Sequence, residues 1–92
     1  MNRSQLVEVV AGAAGLSVRD ADQAVTATLE AIVATVAAGE SVTLPGFGTF
    51  EQRARAARTG RNPQTGAAME IPASIAPAFK AGTAFRRRVA AA

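Results

Sequence analysis

Between Gln52 and Ala68 the chain carries no large aliphatic or aromatic side chain and no acidic one. A stretch with so little to bury has no place inside a core, so it must project from one. It carries arginine at 53, 55, 58 and 61, and Asn62-Pro63 sits between Gly60 and Gly66. Asn-Pro flanked by glycine is turn chemistry, so the projection reads as a basic two-stranded hairpin. Such a hairpin alone is marginal in water, so it needs a body to hold its root.

The body has little material. The chain has 92 residues and no cysteine or histidine. A chain this short forms one domain and buries only roughly 60–65% of its unfolded surface. Neither a disulfide framework nor a thiolate metal site is available to it. The remaining source of core is a second chain.

Apolar periodicity gives the body its elements. Leu6, Val9, Val10 and Ala13 recur at helical spacing, with Asn2 and Gln5 placed as a capping box and Gly15 as a left-handed stop. A second helix starts behind Ser17, has Asp20 in its first turn, carries Val25, Leu29, Ile32 and Val36 on one stripe and ends at Gly39. At ~20 residues it would span about 30 Å, more apolar face than one short helix covers. From Glu40 the period shortens to two. Ser41–Leu44 reads as a strand stopped by Pro45-Gly46, and Phe47–Arg55 as a second strand that leaves the body. Gly46 and Gly48 allow enough bending for both Phe47 and Phe50 to be buried. Pro72 and Pro77 bracket an edge strand that rejoins the body, Phe79 is a core candidate, and a short terminal helix follows with Thr83 as its expected cap. The expected divisions are a helical dimerisation part over 1–39, a β-ribbon arm over 53–74 and a C-terminal helix over 82–91.

Charge separates along the chain. Residues 1–50 hold two basic and five acidic groups, net −3, whereas residues 51–92 hold eight basic and two acidic groups, net +6. The basic half calls for a polyanionic partner. Catalysis finds little support, because serine and threonine have no histidine base, Lys80 is the only lysine, and the carboxylates form no obvious pair. The most apolar stretch, Ala31–Ala38, is far short of the ~20 residues a membrane span needs, and the N-terminus has no secretory pattern, so a soluble cytoplasmic protein is expected.

Arg53 and Arg55 fall on one strand face, and eight residues of strand reach ~26 Å, enough to follow a groove around a duplex. Arginine suits a narrow minor groove, where negative potential is concentrated. Pro63 has an ordinary use at the second position of a turn. At an exposed tip flanked by arginine it also offers a rigid apolar ring without an N–H, a shape that wedges between base pairs.

These stretches resemble the HU/IHF family of bacterial nucleoid-associated DNA-bending proteins, and its HU branch more than its IHF branch. The resemblance rests on "MNRSQLVE" at the start, "GFGTF" at 46–50, "RAARTGRNPQTG" at 55–66, "IPAS" at 71–74 and "PAFKAG" at 77–82, spread over the whole chain in family order. Minor-groove wedging is the established mode of that family and is taken from the resemblance. The resemblance implies an α+β fold: an intertwined homodimer with a helical base, three-stranded antiparallel sheets, two protruding β-ribbon arms and a short C-terminal helix. It implies contacts to double-stranded DNA by Arg53, Arg55, Arg58, Arg61 and Asn62, intercalation by Pro63, and phosphate contacts on the body by Arg3, Lys80 and Arg86. Phe47, Phe50 and Phe79 match the aromatic dimer core, which Leu29, Ile32 and Val36 extend. Thr83 stands where relatives commonly carry lysine, which removes one body contact per subunit.

The function expected is a histone-like, largely sequence-independent DNA binder of the nucleoid that bends and compacts DNA and needs no cofactor or metal. An IHF-like site-selective bender, or one half of a heterodimer, is the alternative. Less favoured are a helix-turn-helix regulator built on residues 11–25, whose second helix is too long and acidic for recognition, and a structural dimerisation protein that binds no DNA. RNA is a second polymer for the same charges, although the arm lacks an aromatic stacking platform.

Overall fold

A computed structural model describes all 92 residues, and its elements change type from helix to strand where the apolar period shortens. Helices α1 (Arg3–Ala14) and α2 (Val18–Ala37) are followed by strands β1 (Val42–Leu44), β2 (Gly48–Arg55), β3 (Arg58–Arg61), β4 (Ala68–Ile71) and β5 (Ser74–Ala81), and helix α3 (Thr83–Ala91) closes the chain. The architecture is α+β, with β1-β2-β5 forming one antiparallel sheet and β3-β4 a separate two-stranded ribbon.

The helix ends obey the sequence. Asn2 Oδ1 accepts from the Gln5 amide at 2.9 Å, and Gln5 Oε1 accepts from the Asn2 amide at 2.9 Å, a reciprocal capping box. Gly15 stops α1 at φ 68°, and its neighbour Leu16 donates back to Ala11 O. Ser17 Oγ accepts from the Asp20 amide at 3.0 Å at the start of α2. Expectation and structure part at α3. Its cap is Gly82, which offers no side-chain bond, and the Thr83 hydroxyl instead accepts from Arg86 Nη2 at 3.4 Å. Gly82 compensates through its own N–H, which donates to Phe47 O at 2.8 Å and fixes the start of α3 to the β1–β2 hairpin.

Two compact units divide the chain at residues 34 and 35. In the first, Val7, Ala11 and Ala21 are buried, with Val10 and Val25 packed around them. Of the stripe expected on α1, Val10 packs on this core, whereas Leu6, Val9 and Ala13 are exposed. α1 carries two apolar faces, and the one holding the small Ala11 allows close approach to Ala21 of α2. The other is uncovered in the single chain, as are Leu29 and Val33 of α2.

In the second unit, Pro45 and Gly46 make a tight turn with Gly46 at φ 81° and Phe47 N–H donating to Leu44 O at 2.9 Å. β2 then pairs with β5 over eight positions, from Gly48↔Ala81 to Arg55↔Ser74. The four phenylalanines gather here: ring centroids lie 4.7 Å apart for Phe50–Phe79 and 5.3 Å for both Phe47–Phe79 and Phe47–Phe85. Phe47 therefore joins Phe50 despite the alternation of the strand, because it sits in the turn. Gly48 makes the cluster possible, since a Cβ there would lie 2.5 Å from Lys80 O and 2.6 Å from the Phe79 ring. Phe47 and Phe79 nevertheless stay 44% and 40% exposed, so one side of the cluster is open. β5 is an edge strand, where Pro77 is tolerated.

Candidate nucleic-acid interface

The register of β2 against β5 sorts the side chains. Thr49, Glu51, Arg53 and Arg55 share one face with their partners Lys80, Ala78, Ala76 and Ser74. Phe50, Gln52 and Ala54 share the opposite face with Phe79, Pro77 and Ile75. Arg53, Arg55 and Lys80 thus lie together on the side away from the aromatic cluster, all exposed. Lys80 stands level with Thr49, six residues before Arg55, so this basic track is ~20 Å long along the strand.

The ladder then breaks. β2 and β5 pair as far as Arg55↔Ser74, and β3 and β4 begin at Arg58↔Ile71, leaving Ala56–Ala57 and Pro72–Ala73 outside both sheets. The break opens a cleft of about 450 Å3 lined by Arg55, Ala56, Arg58, Ile71, Pro72 and Ser74. Beyond it, Arg58 shares a face with Gly60, Met69 and Ile71, whereas Arg61 shares the other with Thr59, Ala68 and Glu70. The ribbon arginines therefore point to opposite faces, unlike Arg53 and Arg55.

The tip is held by its own polar atoms. Asn62 N–H donates to Ala67 O at 2.9 Å, and Gly66 N–H donates back to Asn62 O at 2.7 Å. Asn62 Oδ1 accepts from the Gln64 amide at 2.9 Å. The loop thus closes from residue i to i+4 rather than as the i to i+3 turn that Asn-Pro suggests, and Gly66 at φ 71° supplies the left-handed step. Asn62 spends its side-chain oxygen inside this loop, so its NH2 group is what it can offer outward. Pro63 stands at the crown, exposed, with no N–H to satisfy.

The remaining predicted residues are more dispersed. Arg3, in the helical unit, donates from Nη2 to Asp22 Oδ1 at 3.2 Å and to Thr26 Oγ1 at 2.6 Å, with both charged partners about half exposed. An anion approaching Arg3 would compete with these two oxygens. Arg86 is exposed on α3. Of the residues expected in a dimer core, Val36 is 8% exposed, Ile32 and Phe50 are half-buried, and Leu29, Phe47 and Phe79 are open in the single chain. No His, Cys, Asp or Glu cluster is arranged to hold a metal, and no helix is long and apolar enough to cross a membrane.

Three participants escape a reading of the sequence: Thr26, which shares Arg3; Gln52, which donates from Nε2 to Val36 O at 2.8 Å; and Glu70, an acid on the ribbon. Gln52 left a trace, being the polar member of an otherwise apolar face. Glu70 was masked because it lies one residue past the acid-free stretch ending at Met69.

Residues 1–90 match the family model described as bacterial DNA-binding protein. The DNA-binding protein HU of Nostoc sp. is 52% identical over 90 residues, covering 98% of this chain and 96% of the relative. HU of Geobacillus stearothermophilus is 53% identical over 89 residues, covering 97% and 99%. Among solved structures, Anabaena HU in a cocrystal with DNA superposes with a TM-score of 0.93 at 52% identity, covering 98% of each chain.

Proposed function

Since the chain belongs to the bacterial DNA-binding protein family and is similar throughout to its HU members, we propose that it is a histone-like protein that binds double-stranded DNA largely without regard to sequence, bending and compacting it. One observation carries the reading: an exposed basic track of Arg53, Arg55 and Lys80 on one sheet face leads to an arginine-bearing ribbon crowned by Pro63.

The chemistry of each group fits that task. Arg53, Arg55 and Lys80 neutralise phosphates, with Arg3 and Arg86 adding body contacts. Arg58 and Arg61 enter the minor groove with the NH2 of Asn62, and the Pro63 ring enters a base step. Partial unstacking costs a few kcal/mol, offset when the bent duplex meets more positive surface. The work is architectural rather than catalytic, needs no cofactor, and is done at the nucleoid.

The working unit is a homodimer. The apolar side chains of Leu29, Val33, Phe47 and Phe79 are 40–63% exposed in the single chain. Covering what each still exposes gains about 1 kcal/mol, and a second copy supplies the cover. Two arms then reach the duplex together. A site-selective IHF-like role is not favoured, because the similar proteins are HU by name. RNA attracts the same charges, and competition by RNA against a DNA duplex of equal length measures how far. The principal test is a bending assay on a short duplex of arbitrary sequence, run across salt concentrations. A straight duplex at saturation overturns the proposal.

A further inference from the structure

The arm is polarised from edge to edge. All four of its arginines lie on the outgoing side, in β2 and β3, whereas residues 67–79 carry no basic side chain and one acid, Glu70. Glu70 is exposed in the middle of β4, opposite Thr59, with Arg61 diagonal to it on the same face. That diagonal is not closed into an ion pair, since the ion pair in the structure joins Arg3 and Asp22. Glu70 has no hydrogen-bond partner either, so its full charge faces outward.

A two-stranded ribbon lying lengthwise in a groove turns one strand towards each of the two flanking phosphate backbones. We infer that each arm grips the two DNA strands unequally: the outgoing edge binds one backbone through arginine, while Glu70 on the returning edge holds the opposite backbone off and so limits affinity. This rests on the arm lying in the groove as proposed above. Like charges 7–10 Å apart in water repel by an amount worth about twofold in binding. Two arms in a dimer make that about fivefold at low salt.

The experiment is a salt titration of duplex binding with the full chain, using Glu70→Gln, Glu70→Lys and, as a control that removes the same charge elsewhere, Glu40→Gln. Glu70→Gln is expected to bind about fivefold more tightly at low salt, and Glu40→Gln to change binding less than twofold. Glu70→Lys is expected to steepen the slope of log affinity against log salt by about two, one phosphate per arm. If Glu70→Gln matches Glu40→Gln, or the slope is unmoved in Glu70→Lys, the returning edge faces no backbone and the inference falls. An Arg58→Gln/Arg61→Gln double variant separates that failure from a deeper one. If its slope too equals that of the parent, the arm is not in the groove at all.

Discussion

The side-chain amide of Gln52 donates to the main-chain carbonyl of Val36 at 2.8 Å, joining the point where β2 becomes exposed to the last turn of α2. That carbonyl also receives the Gly39 N–H at 3.0 Å, so it is the end of a helix closed from two directions. Gln52→Ala removes one of the two bonds and is expected to cost about 1 kcal/mol. Gln52→Glu is expected to cost more than alanine, because a carboxylate donates nothing and meets the negative end of the helix dipole. Gln52→Lys, a donor carrying a positive charge, should recover part of the loss. Denaturant unfolding at one fixed protein concentration measures all three, and an order with Glu above Ala contradicts the contact.

Pro63 is tested by its shape rather than its charge. Pro63→Ala keeps the Asn62–Gly66 closure, which uses only main-chain atoms and the Asn62 side chain. The dimer is therefore expected to sediment unchanged, while the bend angle, read by energy transfer between duplex ends, should fall. An unaltered angle removes the wedge role.

The arginines are tested one at a time through salt. Each of Arg53, Arg55, Arg58 and Arg61 replaced by glutamine should flatten the slope of log affinity against log salt by about two in a two-armed dimer. The loss should be similar on unrelated sequences, because phosphates carry no sequence information and the minor groove shows a degenerate pattern. A loss confined to one sequence would point to base readout instead.

Gly48→Ala probes the packing beneath the basic track. Its new methyl would sit 2.5 Å from Lys80 O and 2.6 Å from the Phe79 ring, and the carbonyl belongs to the paired β5 backbone. A cost of about 1–3 kcal/mol in thermal stability is expected. Gly12, with nothing within 4 Å of its notional Cβ, serves as the comparison, since Gly12→Ala in mid-helix should stabilise slightly.

What the sequence discloses and what it hides follow from the range of the interactions. Capping at Asn2, Gln5 and Ser17, the stops at Gly15 and Gly39 and the turn at Pro45-Gly46 are local, so a few adjacent residues predict them. The strand face shared by Arg53 and Arg55 follows from a period of two. Choosing between the two apolar faces of α1 was beyond the sequence, because the choice depends on which face meets Ala21 across the helix pair. Thr83 failed as a cap for a similar reason: Gly82 is held by Phe47, a residue 35 positions away. The Arg3–Thr26 and Gln52–Val36 bonds likewise span 23 and 16 residues. The family resemblance, by contrast, depended on short motifs such as "GRNPQTG" and "GFGTF", which remain legible without any long-range contact.

The gap in the ladder at Ala56–Ala57 and Pro72–Ala73 sets a limit on cooperativity. No interstrand rung crosses it, so melting that begins at the crown has no rung through which to pull on the sheet below. Amide protons of the ribbon should exchange with solvent in one regime and those of β2 and β5 in another, slower one. The footing of the ribbon therefore stays intact while its crown opens.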